Sequence, residues 1–122
     1  MDLNSILIGS EDPARLVDYY TKLFGEPAMS EGGYTGWQLG TGWVTVGPHD
    51  QVKGKNTTPG RILWNIETAD VQGEFDKFKA AGAIVVAEPY SYEEEPGFIA
   101  TFEDPDGNYF QLMSPMDPNA QG

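Results

Sequence analysis

Apolar and polar positions follow the same order twice along the chain. Each half opens with a short aliphatic segment, continues with apolar residues three or four positions apart, and ends with short apolar segments separated by glycine and polar residues. A short apolar segment bounded by turn formers is typical of a β-strand, whereas spacing of three and four is typical of an amphipathic helix. The pattern therefore predicts an α+β chain in which a βαβββ plan is repeated.

The first half begins with a predicted strand over residues 3–8 and continues into a helix. Asp12 and Pro13 are typical of the first helical positions, and we expect the Asp12 carboxylate to accept free backbone N–H groups there. Gly25 supplies a residue that ends the helix. The predicted buried face of this helix contains Leu16, Tyr19, Tyr20, Leu23 and Phe24. An antiparallel meander of three strands is predicted over residues 27–30, 34–39 and 43–46.

The second half repeats this order. Asp70 is expected to cap a helix that ends at Gly82. The predicted buried face of this second helix contains Val71, Phe75 and Phe78. Predicted strands flank it, over residues 62–66, 83–87, 98–103 and 108–113. Residues 104–107, Asp-Pro-Asp-Gly, are a strong turn signal before the last strand, and we expect their carboxylates to be solvated.

The two halves are in near register. Ile6 and Ile62, in the two opening strands, lie 56 positions apart, and the glycines that end the helices lie 57 positions apart. The chain of 122 residues is therefore interpreted as a single domain built from two modules. The modules cover residues 3–46 and 61–114, a polar linker covers residues 47–60, and a loose tail covers residues 115–122.

Composition excludes several classes of function. The chain has 19 acidic and 7 basic residues and a net charge of −12, which is the wrong sign for binding nucleic acid or an anionic membrane surface. It contains no cysteine, so disulfides, cysteine-bound zinc and thiol nucleophiles are absent. Because no apolar segment is long enough to span a membrane and the start does not resemble a signal peptide, we expect a cytoplasmic protein.

Alternation along the strands assigns side chains to two faces. Ile62, Trp64 and Ile66 are expected to face the helices, and the opposite faces to line a partly polar cleft. Mixed aromatic, aliphatic and polar side chains suit a small organic ligand. The predicted cleft face contains Ser5, Leu7, Trp43, Thr45, Arg61, Leu63, Asn65, Tyr109, Gln111 and Met113. Arg61 either anchors a carboxylate, phosphate or carbonyl group of the ligand, or pairs with a neighbouring carboxylate.

Three further features each allow two interpretations. An aromatic set either stacks on a planar or cationic ligand or packs in the core or a dimer contact. Residues 93–95, Glu-Glu-Glu, form either a solvated loop or an acidic lip that attracts a basic compound. His49, the only histidine, is either an exposed linker residue or, with the linker folded over the cleft, a ligand or general base. The aromatic set consists of Tyr34, Trp37, Trp43, Tyr90, Tyr92 and Phe98.

Taken together, these segments resemble the vicinal oxygen chelate superfamily, which includes glyoxalases, bleomycin-resistance proteins and extradiol dioxygenases. The resemblance rests on residues 12–14 and 19–25 in the first half, residues 75–82 in the second, and the closing hairpin over residues 102–112. It covers about residues 3–114. The resemblance implies curved mixed sheets around a shared cleft, usually in a homodimer.

The resemblance also locates the metal ligands of metal-using members, on the first and fourth strands of each module. These positions fall on Ser5, Thr45, Arg61 and Gln111. A guanidinium has no lone pair to offer and repels a divalent cation, and neutral oxygen donors do not match the preferences of zinc, nickel or iron. We therefore expect no metal and no other cofactor.

Three functional hypotheses remain open. The first is a metal-independent member of the superfamily that binds a small organic molecule in its cleft, for sequestration or another role. The second is an enzyme of the same superfamily, such as a lyase, isomerase or dioxygenase, with a non-standard or metal-free site. The third is a subunit that acts only through a protein partner, for which side chains would fill the cleft.

Overall fold

The computed structural model of the chain describes residues 1–91 and 97–115. These residues contain two separate four-stranded sheets and two α-helices. The first half contains β1 (Ser5–Ser10), α1 (Pro13–Phe24), β2 (Met29–Glu31), β3 (Tyr34–Leu39) and β4 (Gly42–Pro48). The second half contains β5 (Trp64–Glu67), α2 (Val71–Ala80), β6 (Ile84–Ser91), β7 (Phe98–Glu103) and β8 (Tyr109–Met113), preceded by a 3₁₀ turn (Pro59–Arg61). Tyr92, the acidic residues 93–95 and residues 116–122 of the predicted tail lie outside the described residues.

Both sheets have the same topology. Their strand orders are β1-β4-β3-β2 and β5-β8-β7-β6. The first strand of each half pairs in parallel with the fourth, and the other pairs are antiparallel. The predicted α+β class and repeated βαβββ plan are thus confirmed. Among the described residues no ladder joins β1 to β5, so each sheet ends there at an open edge.

The two helices begin differently, although an aspartate precedes each of them. The Asp70 carboxylate accepts a hydrogen bond from the Gly73 backbone N–H at 2.9 Å, as predicted. The Asp12 carboxylate makes no such cap, and this prediction was wrong. The reason is that the Arg15 N–H, which corresponds to the Gly73 N–H of the second helix, donates to the Asp12 carbonyl at 3.2 Å instead of to the carboxylate.

The start of β5 also differs from its prediction. The strand begins at Trp64 rather than at residue 62, because Pro59 opens a 3₁₀ turn in which the Arg61 N–H donates to the Thr58 carbonyl. Ile62, which was expected to face the helices, is 77% exposed. Trp64 and Ile66 do pack against the core, as predicted.

An aromatic core joins the helices to both sheets. Tyr20 is fully buried, and its ring contacts Phe24, Trp37, Trp64 and Phe110 at centroid distances between 5.5 and 6.1 Å. Trp37 is only 2% exposed and therefore belongs to the core instead of to a ligand wall. Since these rings come from both halves, α1 packs between the modules.

A buried polar network reinforces this junction at the turn over residues 104–107. The Asp104 carboxylate accepts from the Tyr20 hydroxyl at 2.7 Å and from the backbone N–H groups of Asp106 and Asn108. The Asp106 carboxylate accepts from the Ser10 hydroxyl at 2.5 Å and from the Arg15 guanidinium at 2.6 Å. The predicted turn is present, but both carboxylates are buried, not solvated, because α1 covers them.

The linker crosses this turn along a fixed path. The Asn56 N–H donates to the Asp106 carbonyl at 2.8 Å, and the Asn56 side-chain amide donates to the Asn108 side chain at 3.1 Å. Gly107 has a φ of +82°, and a Cβ there would lie 3.0 Å from the Asn56 carbonyl oxygen. Glycine is therefore required at this crossing for both its backbone conformation and the space it leaves.

The two helices are short. Neither helix within residues 1–91 and 97–115 combines the length and apolar character needed to cross a membrane. Several apolar side chains of the sheets remain exposed on the chain by itself. These are Leu7, Tyr34, Ile84, Val86, Tyr90 and Phe98.

Candidate functional site

A groove of about 1000 Å³ lies between the two modules, along the open edges of their sheets. Its walls come from the start of β1, the turn between β3 and β4, the end of α1, strand β5 and one side of α2. The aromatic lining residues are Phe24, Trp43, Trp64 and Phe78. The polar lining residues are Asn4, Ser5, Thr41, Asn65, Glu67, Thr68 and Glu74. The groove is thus mainly apolar, with polar groups distributed along it.

Core contacts hold most of the aromatic wall in place. Trp64 stacks on Phe110 at a centroid distance of 5.0 Å and an interplanar angle of 21°. Phe24 lies 6.2 Å from Trp64 and 6.0 Å from Phe78. Since Phe24 is the last residue of α1, the end of the helix brings its ring to the groove. The rings of this wall also pack in the core, so their positions are fixed before any ligand binds.

Trp43 is held in a different way. It lies on β4 directly opposite Ser5 of β1, and it is partly buried. A Cβ at Gly36 on the neighbouring strand would lie 3.3 Å from the Trp43 ring, so the ring rests beside bare glycine backbone. None of the aromatic ring contacts among the described residues involves Trp43.

The charged groups of the groove are all acidic in the part of the chain that the structure describes. Glu67 ends β5, and Glu74 lies in the first turn of α2. Lys77 approaches Glu74 at 3.7 Å but is itself highly exposed. No lysine, arginine or histidine is among the described residues that line the groove.

Four of the predicted cleft residues line this groove, namely Ser5, Trp43, Leu63 and Asn65. Thr45 and Gln111 lie on the same sheet faces, opposite Leu7 and Asn65 respectively, but outside the groove. The Thr45 hydroxyl donates to the Ile6 carbonyl at 2.9 Å, and the Gln111 amide donates to the Thr101 hydroxyl at 3.0 Å. Others outside the groove lining are Leu7, Tyr109 and Met113.

Arg61 lies elsewhere than the strand pattern indicated. It ends the 3₁₀ turn, is exposed, and is not among the groove residues. Alternation between two faces begins only at Trp64, so it does not assign Arg61 to the cleft face. None of the ion pairs within residues 1–91 and 97–115 includes Arg61, so neither interpretation of this residue gains support.

His49 lies in the linker, away from the groove. Its Nδ1 accepts a hydrogen bond from the Gln51 N–H at 3.2 Å and lies 3.6 Å from the Asp50 carboxylate. A Cβ at Gly9 would meet the His49 Cβ at 2.9 Å, which places the residue against the end of β1. The exposed-linker interpretation agrees with this geometry.

The helices contribute groove residues that strand alternation could not identify. Phe24 and Phe78 were assigned to buried helix faces, and both also reach the groove. The available signal was their position late in each helix, where an apolar face continues to the helix end. That signal does not show which sheet edge the helix end approaches.

A sequence comparison with family profiles identifies the class of protein to which the chain belongs. The profile of the Glyoxalase/Bleomycin resistance protein/Dioxygenase superfamily matches residues 2–112. The chain therefore belongs to this family. A search of curated protein sequences finds no significant match.

Solved structures share the fold at low sequence identity. A glyoxalase/bleomycin resistance protein/dioxygenase family enzyme from Burkholderia phytofirmans PsJN has a TM-score of 0.71 and 19% identity, over 93% of this chain and 98% of that one. A glyoxalase/bleomycin resistance protein from Albidiferax ferrireducens T118 has a TM-score of 0.73 and 17% identity, with the same coverage. A glyoxalase/bleomycin resistance protein/dioxygenase from Nocardioides has a TM-score of 0.76 and 12% identity, over 98% and 86%. These similarities establish the fold alone.

The residues at the positions that the resemblance implies for metal ligands do not fit a divalent metal site. Ser5 and Thr45 carry hydroxyls, Arg61 a guanidinium and Gln111 an amide. Near them on β5, Asn65 adds an amide and Glu67 one carboxylate. Zinc, nickel and iron sites combine imidazole or thiolate with carboxylate ligands, and no imidazole is present in this set. Within the described ranges no group of three or more histidine, aspartate or glutamate side chains could hold a metal ion.

Proposed function

We propose that the chain binds a small organic molecule in the groove between its modules, without the family's metal, and sequesters or carries that molecule. The observation that supports this most is the groove itself. Its volume, about 1000 Å³, is at the upper end of the roughly 300–1,000 Å³ found for ligand pockets. Its lining combines aromatic rings with a few polar groups, which is the usual composition of such sites.

Each wall has a distinct role in this proposal. The rings of Trp64 and Phe24 form an apolar surface that packing holds in place, so little conformational entropy is lost on binding. Ser5 and Asn65 present a hydroxyl and an amide at facing sheet edges, where they orient polar atoms of the ligand. Trp43 covers the ligand from the first module.

A thermal-shift screen of a small-organic library, followed by calorimetry on the hits, tests this proposal. We expect hits whose affinity falls about tenfold or more in Trp43→Leu, because a large stacking surface is removed. Tyr34→Leu is the matched control, since Tyr34 is also an aromatic residue of the first sheet but lies outside the groove. Equal losses in both variants, or no hit at all, would overturn the proposal.

We also propose that the chain forms a homodimer. The exposed apolar residues of the sheets, among them Leu7 at 54%, Tyr90 at 47% and Phe98 at 44%, support this, as do the open edges of β1 and β5. Light scattering during size-exclusion chromatography should give twice the chain mass. A mass of one chain at micromolar concentration would contradict it.

A further inference from the structure

We propose that the groove selects flat aromatic molecules that carry a positive charge, with Trp43 as the stacking surface and Glu67 as the principal counter-charge. This inference rests on the proposed function, because it assigns a ligand chemistry to the same groove. Three observations support it: the way the Trp43 ring is held, the sign of the charges in the lining, and the position of Arg61.

The Trp43 ring lies beside the glycine backbone of the neighbouring strand. Gly36 leaves space for the ring on the strand beside it, and any side chain there would meet the ring within 3.3 Å. The rings that form the core pack against one another, whereas Trp43 takes part in none of the ring contacts of residues 1–91 and 97–115. An indole face in this situation attracts a planar ring and, still more strongly, a planar ring with a positive charge.

The charges of the lining favour a cation. Glu67 and Glu74 both line the groove, and no cationic side chain is among the described lining residues. Lys77 lies 3.7 Å from Glu74 and partly offsets that carboxylate, whereas none of the ion pairs of residues 1–91 and 97–115 includes Glu67. Because Glu67 is exposed, its attraction for a bound cation is partly screened by solvent and weakens as the salt concentration rises.

Arg61 does not supply the opposite preference. Its exclusion from the groove removes the one guanidinium that strand alternation had assigned to the cleft face. An anionic ligand would then meet two carboxylates and no cationic side chain in the described lining, so the cost of its desolvation would not be offset. The net charge of −12 also attracts cations to the chain over long distances.

Calorimetry at pH 7 with four matched probes tests this inference. The probes 1-naphthylmethylamine, 1-naphthalenemethanol and 1-naphthoate share one ring system and are cationic, neutral and anionic, and cyclohexylmethylamine is a cation without an aromatic ring. We expect the aromatic amine to bind about five- to tenfold more tightly than the alcohol, and the naphthoate and the cyclohexyl amine to bind more weakly than the alcohol.

Glu67→Gln is the decisive variant, and Glu26→Gln is its control. Both remove one negative charge from an exposed glutamate, but Glu26 lies outside the groove. Glu67→Gln should lower the preference for the amine over the alcohol by about threefold or more, and Glu26→Gln should leave this preference unchanged.

The outcomes separate this inference from the function on which it rests. Equal affinity for amine and alcohol, tighter binding of naphthoate, or equal effects of the two glutamate variants would overturn the charge preference while the groove remains a ligand site. Binding of cyclohexylmethylamine as tight as that of the aromatic amine would overturn the stacking role. If no probe binds, this inference fails, and the proposed function fails with it only if the library screen also gives no hit.

Discussion

Asp104 and Tyr20 are joined by a hydrogen bond of 2.7 Å between the two modules. Both are fully buried, and burial raises the pKa of the Asp104 carboxyl above its usual range, while its hydrogen bonds from Tyr20 and Asn108 act in the opposite direction. Burial also raises the pKa of the Tyr20 hydroxyl well above its ordinary value. An ionised carboxylate in such a place depends on every donor around it.

Tyr20→Phe should therefore reduce the free energy of unfolding by about 1–3 kcal/mol, because it leaves a buried carboxylate with one donor fewer. The same change should raise the pKa of Asp104 further, since the lost hydrogen bond is one that lowers it. Urea denaturation at pH 7 measures the stability. Tyr34→Phe, at a partly exposed tyrosine, serves as the control, and an equal loss in both variants would contradict the role of the buried pair.

At the scale of single residues, the sequence predicted the position of a turn better than the burial of the side chains in it. The turn over residues 104–107 was predictable from its Asp-Pro-Asp-Gly sequence, but the burial of its carboxylates was not. That burial depends on Ser10, Arg15 and Tyr20, which lie more than 80 positions away. No local pattern specifies which helix covers a turn at that separation.

The helices and strands show which element boundaries local sequence can specify. The meander strand over residues 34–39 and the strand over residues 98–103 were predicted with the bounds that the structure has. The opening strand of the second module was predicted two residues too early, because the aliphatic residues Ile62 and Leu63 lie between the 3₁₀ turn and the start of the strand. This difference is what excluded Arg61 from the strand face.

The two aspartates that precede the helices allow a matched test of how each helix begins. Asp70→Ala should lower the free energy of unfolding by about 1 kcal/mol, because the Asp70 carboxylate accepts the Gly73 N–H. Asp12→Ala should cost clearly less, since the Asp12 side chain makes no cap hydrogen bond. Urea midpoints of the two variants check this, and an equal or larger loss for Asp12→Ala would show that the caps are assigned incorrectly.

The whole molecule depends on contacts between its halves that the repeat alone does not specify. The repeat predicted two modules and their topology, and alternation placed Ser5, Trp43 and Asn65 near one another. It could not locate the groove, because the separation of the two sheet edges is set by α1 and its aromatic contacts with the second module. The groove walls that come from helix ends were missed for the same reason.

The alkaline limit of stability follows from this interior. Burial raises the pKa of Tyr19 to about 12, whereas an unfolded phenol titrates near 10. Between these values the unfolded chain binds fewer protons than the folded one, so the free energy of unfolding falls as the pH rises. This contribution is fully present below pH 10 and is lost by about pH 12.

Absorbance of tyrosinate at 295 nm, recorded beside circular dichroism, measures this behaviour. Of the six tyrosines, Tyr19 and Tyr20 should ionise only as the chain unfolds, because burial raises the pKa of both. Tyr19→Phe should flatten the decline in stability above pH 10. Smooth ionisation of all six tyrosines before any loss of circular dichroism would contradict the buried assignment.

The turn over residues 104–107 has a further consequence for the history of a chain built from two similar halves. The corresponding connection of the first module is Gly40-Thr41-Gly42, which carries no carboxylate. Two copies of the first half would bring Ser10, Arg15 and Tyr20 to a turn that has no carboxylate, and two copies of the second would bury Asp104 and Asp106 without the donors Ser10, Arg15 and Tyr20. The halves still share one plan, but neither can now replace the other, so a return to a self-paired single half would require both surfaces to change at once.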